Sequence, residues 1–245
     1  MKNIKACFFD LDGTLVRSDH TISATVIEAV QRLEREGVAP VIATGRSYEA
    51  LLPIKALLDL HSPVICYNGA MIVNGKDNSI MTHHTLPDKA AIEIIQAVRD
   101  MGYHILGYRN GELIYERECY ESKEYYNRIK MAGRIINFDN IKMLNLTKCL
   151  IIADHEKLVP LKEKIARDYN NQVNVFFSDP RFLEIVPAGI DKGKAVEEVM
   201  TLMGETVDQA MAMGDGFNDL PMLQAARWGV VMENALPELK KLFPP

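Results

Sequence analysis

Residues 6–15 read Ala6-Cys7-Phe8-Phe9-Asp10-Leu11-Asp12-Gly13-Thr14-Leu15. Four apolar residues run straight into two acids and a glycine, the pattern of a strand buried on both faces whose carboxyl end opens into a polar loop. In open α/β sheets that end is where ligands bind. This stretch therefore predicts both a parallel-sheet core and the edge on which a site is built.

Working outward, residues 23–36 place Val26, Ile27, Val30 and Leu33 on one helical face, with Ser23 or Thr25 as N-cap and Gly37 as the stop. Residues 38–43 form the next apolar strand and end in Thr44-Gly45-Arg46-Ser47. A helix over 48–60 follows, then a strand over 63–67 that ends in Asn68-Gly69. Far downstream the alternation resumes with a helix over 192–203, a strand over 209–213 and another over 229–232. Strands alternating with helices in this way predict an α/β fold with a doubly wound, Rossmann-like parallel sheet.

Between these halves the pattern changes. Asn74-Gly75 and Asn110-Gly111 each separate two short apolar runs, a hairpin signal. Helices are expected over 88–101 and 156–169, and strands over 147–153, 173–177 and 182–186. The reading is a core of residues 1–85 plus 187–245 carrying an inserted α+β second domain of residues 86–186, with Pro87 and Pro187 as hinge punctuation. The charged, tyrosine-rich run 116–130 reads as a solvated helix face.

Composition narrows the partners. The 245 residues are 48% hydrophobic and 25% charged with a net charge of −5, an ordinary globular balance. The basic residues are scattered, so no nucleic-acid partner is expected. No stretch approaches a membrane span, and the amino terminus lacks the build of a signal peptide, so the expectation is a cytoplasmic protein without a membrane partner. Cys7, Cys66, Cys119 and Cys149 form no Cys-x-x-Cys pair, and all but Cys119 sit in strand-like runs as small hydrophobes.

Four polar clusters follow core strands or open a core helix: Asp10 to Thr14, Thr44-Gly45-Arg46, Lys192, and Gly214-Asp215-Gly216-Phe217-Asn218-Asp219. On one sheet edge they would gather several carboxylates, a lysine and two hydroxyls. Crowded carboxylates repel unless a cation neutralises them or one is protonated. An all-oxygen donor set without histidine or thiolate favours Mg2+ over zinc. Lys192 and the Thr44 hydroxyl would face an anion, and Gly13 would let backbone N–H groups point at it. A carboxylate beside a phosphate can act as nucleophile. A second carboxyl two residues away, Asp12, can protonate the leaving oxygen and later take a proton from water.

These four motifs, in this order, resemble the haloacid dehalogenase (HAD) superfamily, in particular its Cof-like subfamily with a type IIB cap. The resemblance implies a HAD-type phosphatase with Asp10 as nucleophile and Asp12 as general acid/base. It also implies that Asp10, the carbonyl of Asp12 and Asp215 hold Mg2+. Thr44 and Lys192 would bind phosphate, with Gly45, Arg46 and Asn218 also at the phosphate or substrate. Gly13, Asn68, Gly69 and Asp219 would support the site, Asp219 through Lys192 or a metal-bound water. The expected partner is a small phosphorylated metabolite such as a sugar phosphate.

Two other functions use parts of the same pattern. A phosphomutase or phosphotransferase would return the phosphoryl group to a hydroxyl instead of water. A non-catalytic phosphate-responsive module would keep the acids, threonine and lysine, but it is shorter, has no inserted domain and is poorly served by Asp12. His83-His84 is not read as a metal site, since neighbours on a strand point to opposite faces. The methionines from Met200 to Met222 read as core filler.

Overall fold

The computed structural model describes residues 4–129, 132–140 and 143–243. In chain order its first elements are β1 (Ala6–Phe9), α1 (Ala24–Arg35), β2 (Ala39–Ala43), α2 (Tyr48–Leu58), β3 (Val64–Cys66), β4 (Met71–Val73) and β5 (Ile80–His83). A middle stretch follows with α3 (Asp88–Asp100), β6 (Ile105–Arg109), β7 (Glu112–Tyr115), α4 (Tyr120–Ile129), β8 (Arg134–Ile135), β9 (Leu146–Ile152), α5 (His155–Asp168), β10 (Val173–Asp179) and β11 (Phe182–Pro187). The chain closes with α6 (Lys192–Leu202), β12 (Ala210–Gly214), α7 (Leu220–Ala225), β13 (Trp228–Val231) and α8 (Pro237–Leu242). It divides into two units, Met1–Thr82 with Asp191–Pro245, and His83–Ile190.

The first unit is built on a seven-stranded sheet in the order β13-β12-β1-β2-β3-β4-β5. Its strands from β13 to β3 are parallel, and β4 runs antiparallel to β3. This bears out the doubly wound parallel core. All four residues of β1 are buried, as expected of a strand covered on both faces. Phe8, Val41, Ile65 and Ala212 pack with Val196, Val199 and Met200 of α6 and Met222 and Leu223 of α7. Each large side chain so buried contributes roughly 1.5–3 kcal/mol. Ser23 caps α1, its hydroxyl accepting the Val26 N–H at 3.4 Å.

Strand order decides where a site can form. Phe9 pairs with Ile42 on one side and Met213 on the other, so β1 is flanked by β2 and by β12. The chain winds away from β1 in opposite directions on either side, and the crevice of such a sheet opens where the order reverses. Asp10 is the first residue past the carboxyl end of β1. Its N–H donates to the carbonyl of Met213, which binds the two strand ends together at 2.9 Å.

The second unit has a six-stranded sheet in the order β10-β11-β9-β6-β7-β8, antiparallel except for the β7–β8 pair. Ile94, Ile95 and Val98 of α3 and Leu158, Leu161 and Ile165 of α5 pack with Ile105, Leu146, Cys149, Ile151, Leu183 and Ile185 from the sheet. The residues of opposite parity include a buried ion pair. Lys148 Nζ lies 3.2 Å from Glu184 Oε2 and 5.2 Å from the centre of the Tyr108 ring. Burial works against the ammonium, but Glu184 and Tyr125 together outweigh it, so the Lys148 pKa is raised.

Run 116–130 has a solvated face and, opposite it, a buried one. Within α4, Ser122 and Tyr125 are buried. The Tyr125 hydroxyl meets that of Tyr108 at 2.9 Å, and its ring packs edge-on against Phe182. An amphipathic stripe is hard to see when its apolar members are tyrosines. Lys130 lies outside the described residues. The short elements β8, α7 and α8 were also not anticipated, each offering too few residues to show a period.

Candidate active site

The β1 end supplies the acid at the centre. Asp10 is 6% exposed, and its Oδ1 accepts from Nζ of Lys192 at 2.5 Å. Lys192 opens α6 and is fully buried. Its ammonium also donates to Oδ1 of Asp219 at 2.6 Å. Burial works against a charged lysine, but two carboxylates outweigh it and raise its pKa, so the ammonium stays charged. Burial pushes the Asp10 carboxyl up to about 7 even though Lys192 pulls it back.

The loop after β12 is organised by Asp219. Its Oδ2 accepts the N–H groups of Asp215 and Gly216 at 3.0 and 2.9 Å while its Oδ1 holds Lys192. One carboxylate thus shapes the loop and places the lysine. Asp215 is half-buried, and burial followed by the nearby charge of Asp219 raises its pKa. Oxygens of Asp10, Asp215 and Asp219 lie within 4.8 Å of one another. Of the three, Asp219 is the most heavily engaged, with Lys192 and two N–H groups. The donors are all oxygens, and burial, with the neighbouring acids, disfavours the ionised forms of Asp10 and Asp215, so a hard divalent cation fits.

The N–H of Gly13 itself donates to the Val16 carbonyl at 2.9 Å. With φ at +93°, a Cβ there would fall 2.1 Å from Oδ2 of Asp215. The glycine makes room for that carboxylate.

The β2 end brings in Thr44, Gly45 and Arg46. Thr44 is buried, and its hydroxyl oxygen accepts the Arg46 N–H at 3.1 Å, which leaves the hydroxyl proton for another acceptor. The Arg46 guanidinium forks onto Asp12, Nε to Oδ2 at 2.9 Å and Nη2 to Oδ1 at 2.5 Å. Beyond β3, Tyr67, Asn68 and Gly69 all have positive φ, at 52°, 55° and 110°. Such strained backbone gathers at functional sites. Gly69 passes so close to α6 that a Cβ would meet the Asp191 carbonyl at 2.5 Å. The Asn218 amide lies 3.5 Å from Oδ1 of Asn68, a long contact.

The sequence reading did not single out Asn234. Its Nδ2 donates at 2.9 Å both to Oδ2 of Asp215 and to the carbonyl of Gly13, tying the two loops together. Its position after β13, itself hydrogen-bonded to β12, was the available signal. The Lys148–Glu184 pair of the second unit was missed too, although a lone charge in each of two apolar strands hints at it. Among the described residues no helix is long and apolar enough to cross a membrane.

Comparison with known proteins points to one family. The sequence pattern of haloacid dehalogenase-like hydrolases matches residues 7–243. An HMP-PP phosphatase of Serratia proteamaculans is 29% identical over 243 residues, covering 96% of this chain and 86% of that protein. One from Yersinia pestis is 28% identical over 236 residues, with the same coverage. Among solved structures, a haloacid dehalogenase-like hydrolase of Bacteroides thetaiotaomicron superposes with a TM-score of 0.88 at 32% identity, over 97% of this chain and 91% of the other. A Thermotoga maritima protein gives 0.86 at 30% identity, over 97% and 90%.

Proposed function

The chain belongs to the haloacid dehalogenase-like hydrolases, and from that premise we propose that it is a magnesium-dependent phosphatase of small phosphorylated metabolites that works through an aspartyl phosphate on Asp10. The observation that carries the reading is Asp10 at the sheet's switch point, held by the buried ammonium of Lys192. A carboxylate oriented by a fixed cation at the carboxyl ends of parallel strands is suited to nucleophilic attack.

In the first half-reaction a carboxylate oxygen of Asp10 forms a bond to phosphorus as the bond to the leaving oxygen breaks. Asp12 gives that oxygen its proton. In the second, water attacks the same phosphorus, its proton passes to the Asp12 carboxylate, and the bond from phosphorus to Asp10 breaks to release inorganic phosphate. Lys192 and the Thr44 hydroxyl hold phosphoryl oxygens throughout, with Gly45 and Asn218 lining the same edge. Asp10, the carbonyl of Asp12 and Asp215 would hold the metal. When bound, Mg2+ neutralises the carboxylates and orients phosphoryl oxygens for in-line attack.

The unit His83–Ile190 is taken as the part that selects the substrate. The phosphatase names of the relatives support a small phosphorylated metabolite, and HMP-PP joins sugar phosphates, nucleotides and a vitamin phosphate on the panel to be tried. The test is phosphate release from that panel with Mg2+ and without an acceptor. Wild-type protein is expected to release phosphate and Asp10→Asn to release none. Full turnover by Asp10→Asn would overturn the assignment, and transfer to a sugar hydroxyl without free phosphate would replace hydrolase by mutase. Asp12→Asn is expected to slow turnover by about a hundredfold to ten-thousandfold, the usual worth of general acid/base help.

A further inference from the structure

The acids of the site differ in how they are held. Asp10 is buried against Lys192, Asp219 is bound by Lys192 and two backbone N–H groups, and Asp215 is tied by Asn234. Asp12 is the exception, its side chain 53% exposed. Among the described residues its side-chain hydrogen bonds are the two from Arg46. We propose that Arg46 is the positioning residue of Asp12, its two-point fork aiming the carboxyl group that moves the proton, rather than chiefly a grip on the phosphate.

The backbone under the fork is pinned on both sides. The Arg46 N–H donates to the Thr44 hydroxyl at 3.1 Å, and the Arg46 carbonyl accepts the Tyr67 N–H at 3.0 Å. The guanidinium therefore leaves a rigid segment at the end of β2 and reaches a residue 34 positions earlier. A planar fork meeting both carboxylate oxygens fixes the orientation of the carboxyl plane as well as its position, which a lysine cannot do. An exposed pair of this kind adds little to stability. Its worth lies in geometry, because a proton donor must lie within hydrogen-bond reach of the leaving oxygen.

This inference rests on the phosphatase reading, and the experiment separates the two. The substrates are 4-nitrophenyl phosphate, whose leaving group departs without a proton, and a hexose 6-phosphate, whose alkoxide needs one. Arg46→Ala is expected to lower kcat/KM for the hexose phosphate by about tenfold to a hundredfold, as misplacing a catalytic group does, while hardly changing it for the nitrophenyl ester. In an Asp12→Asn background the same substitution should cost almost nothing on either substrate. Arg46→Lys keeps the charge without the fork and should resemble Arg46→Ala, so it carries the test if the alanine variant fails to fold. Equal losses on both substrates, or losses that add to those of Asp12→Asn, would make Arg46 a phosphate grip and overturn the proposal. If wild-type protein released no phosphate, or Asp10→Asn turned over normally, the phosphatase reading would fall and this inference with it.

Discussion

The ammonium of Lys192 lies 2.6 Å from Oδ1 of Asp219, whose other oxygen accepts the backbone N–H groups of Asp215 and Gly216. Asp219→Ala removes one carboxylate from a fully buried lysine and leaves two loop N–H groups without their acceptor. Removing one partner of a buried ion pair costs about 3–5 kcal/mol. Urea denaturation of the variant should show a loss of that size. A loss no larger than a surface substitution gives would mean that Asp10 alone satisfies Lys192.

Gly13→Ala tests how closely two loops meet. Its Cβ would lie 2.1 Å from Oδ2 of Asp215, on a backbone with φ at +93°. The left-handed conformation alone costs about 1–2 kcal/mol for a residue with a Cβ. The larger effect should be displacement of Asp215, lowering kcat by about a hundredfold, the scale on which a misplacement of about 1 Å acts. Steady-state kinetics beside a thermal melt would separate the two contributions.

Asn234→Ala removes the amide that ties Asp215 to the Gly13 carbonyl. Groups that orient a metal-binding carboxylate are typically worth about 10- to 100-fold in metal affinity. Calorimetric titration with Mg2+ should show weakening of that order while the protein stays folded. Unchanged affinity would mean that Asp215 is oriented without help.

In the second unit, Lys148 and Glu184 form an ion pair with both side chains buried. Lys148→Met removes the ammonium from the buried Glu184 carboxylate and should cost about 3–5 kcal/mol, whereas Lys148→Met with Glu184→Leu should be close to neutral. The pH dependence has a definite sign. Because the Lys148 pKa is raised on folding, its contribution is fully present below the ordinary lysine value of about 10.4 and is lost as pH rises through the raised value. Denaturation should show wild type and the double variant nearly matched at neutral pH, with the wild type falling below the double variant only in strong alkali.

The sequence by itself determined the parallel core and the identity of its polar edge. Four apolar residues before Asp10, and Thr44 directly after another buried run, are local patterns, and a strand end followed by acids or a glycine can be read without knowing its neighbours. The buried state of Cys7, Cys66 and Cys149 was legible for the same reason. What only the tertiary structure decided is who holds whom. Arg46 reads as one more phosphate contact until β1 and β2 lie side by side and bring it onto Asp12. That Gly13 leaves the space Asp215 occupies shows only once the two loops meet. Asn234 carries no motif, and Lys148 and Glu184 sit in separate strands whose register no local period reveals. Hydrogen-bond partners across tens or hundreds of residues follow from strand order and register. Those are set by the packing of the whole sheet, whereas a strand and its polar end are set by the few residues that make them.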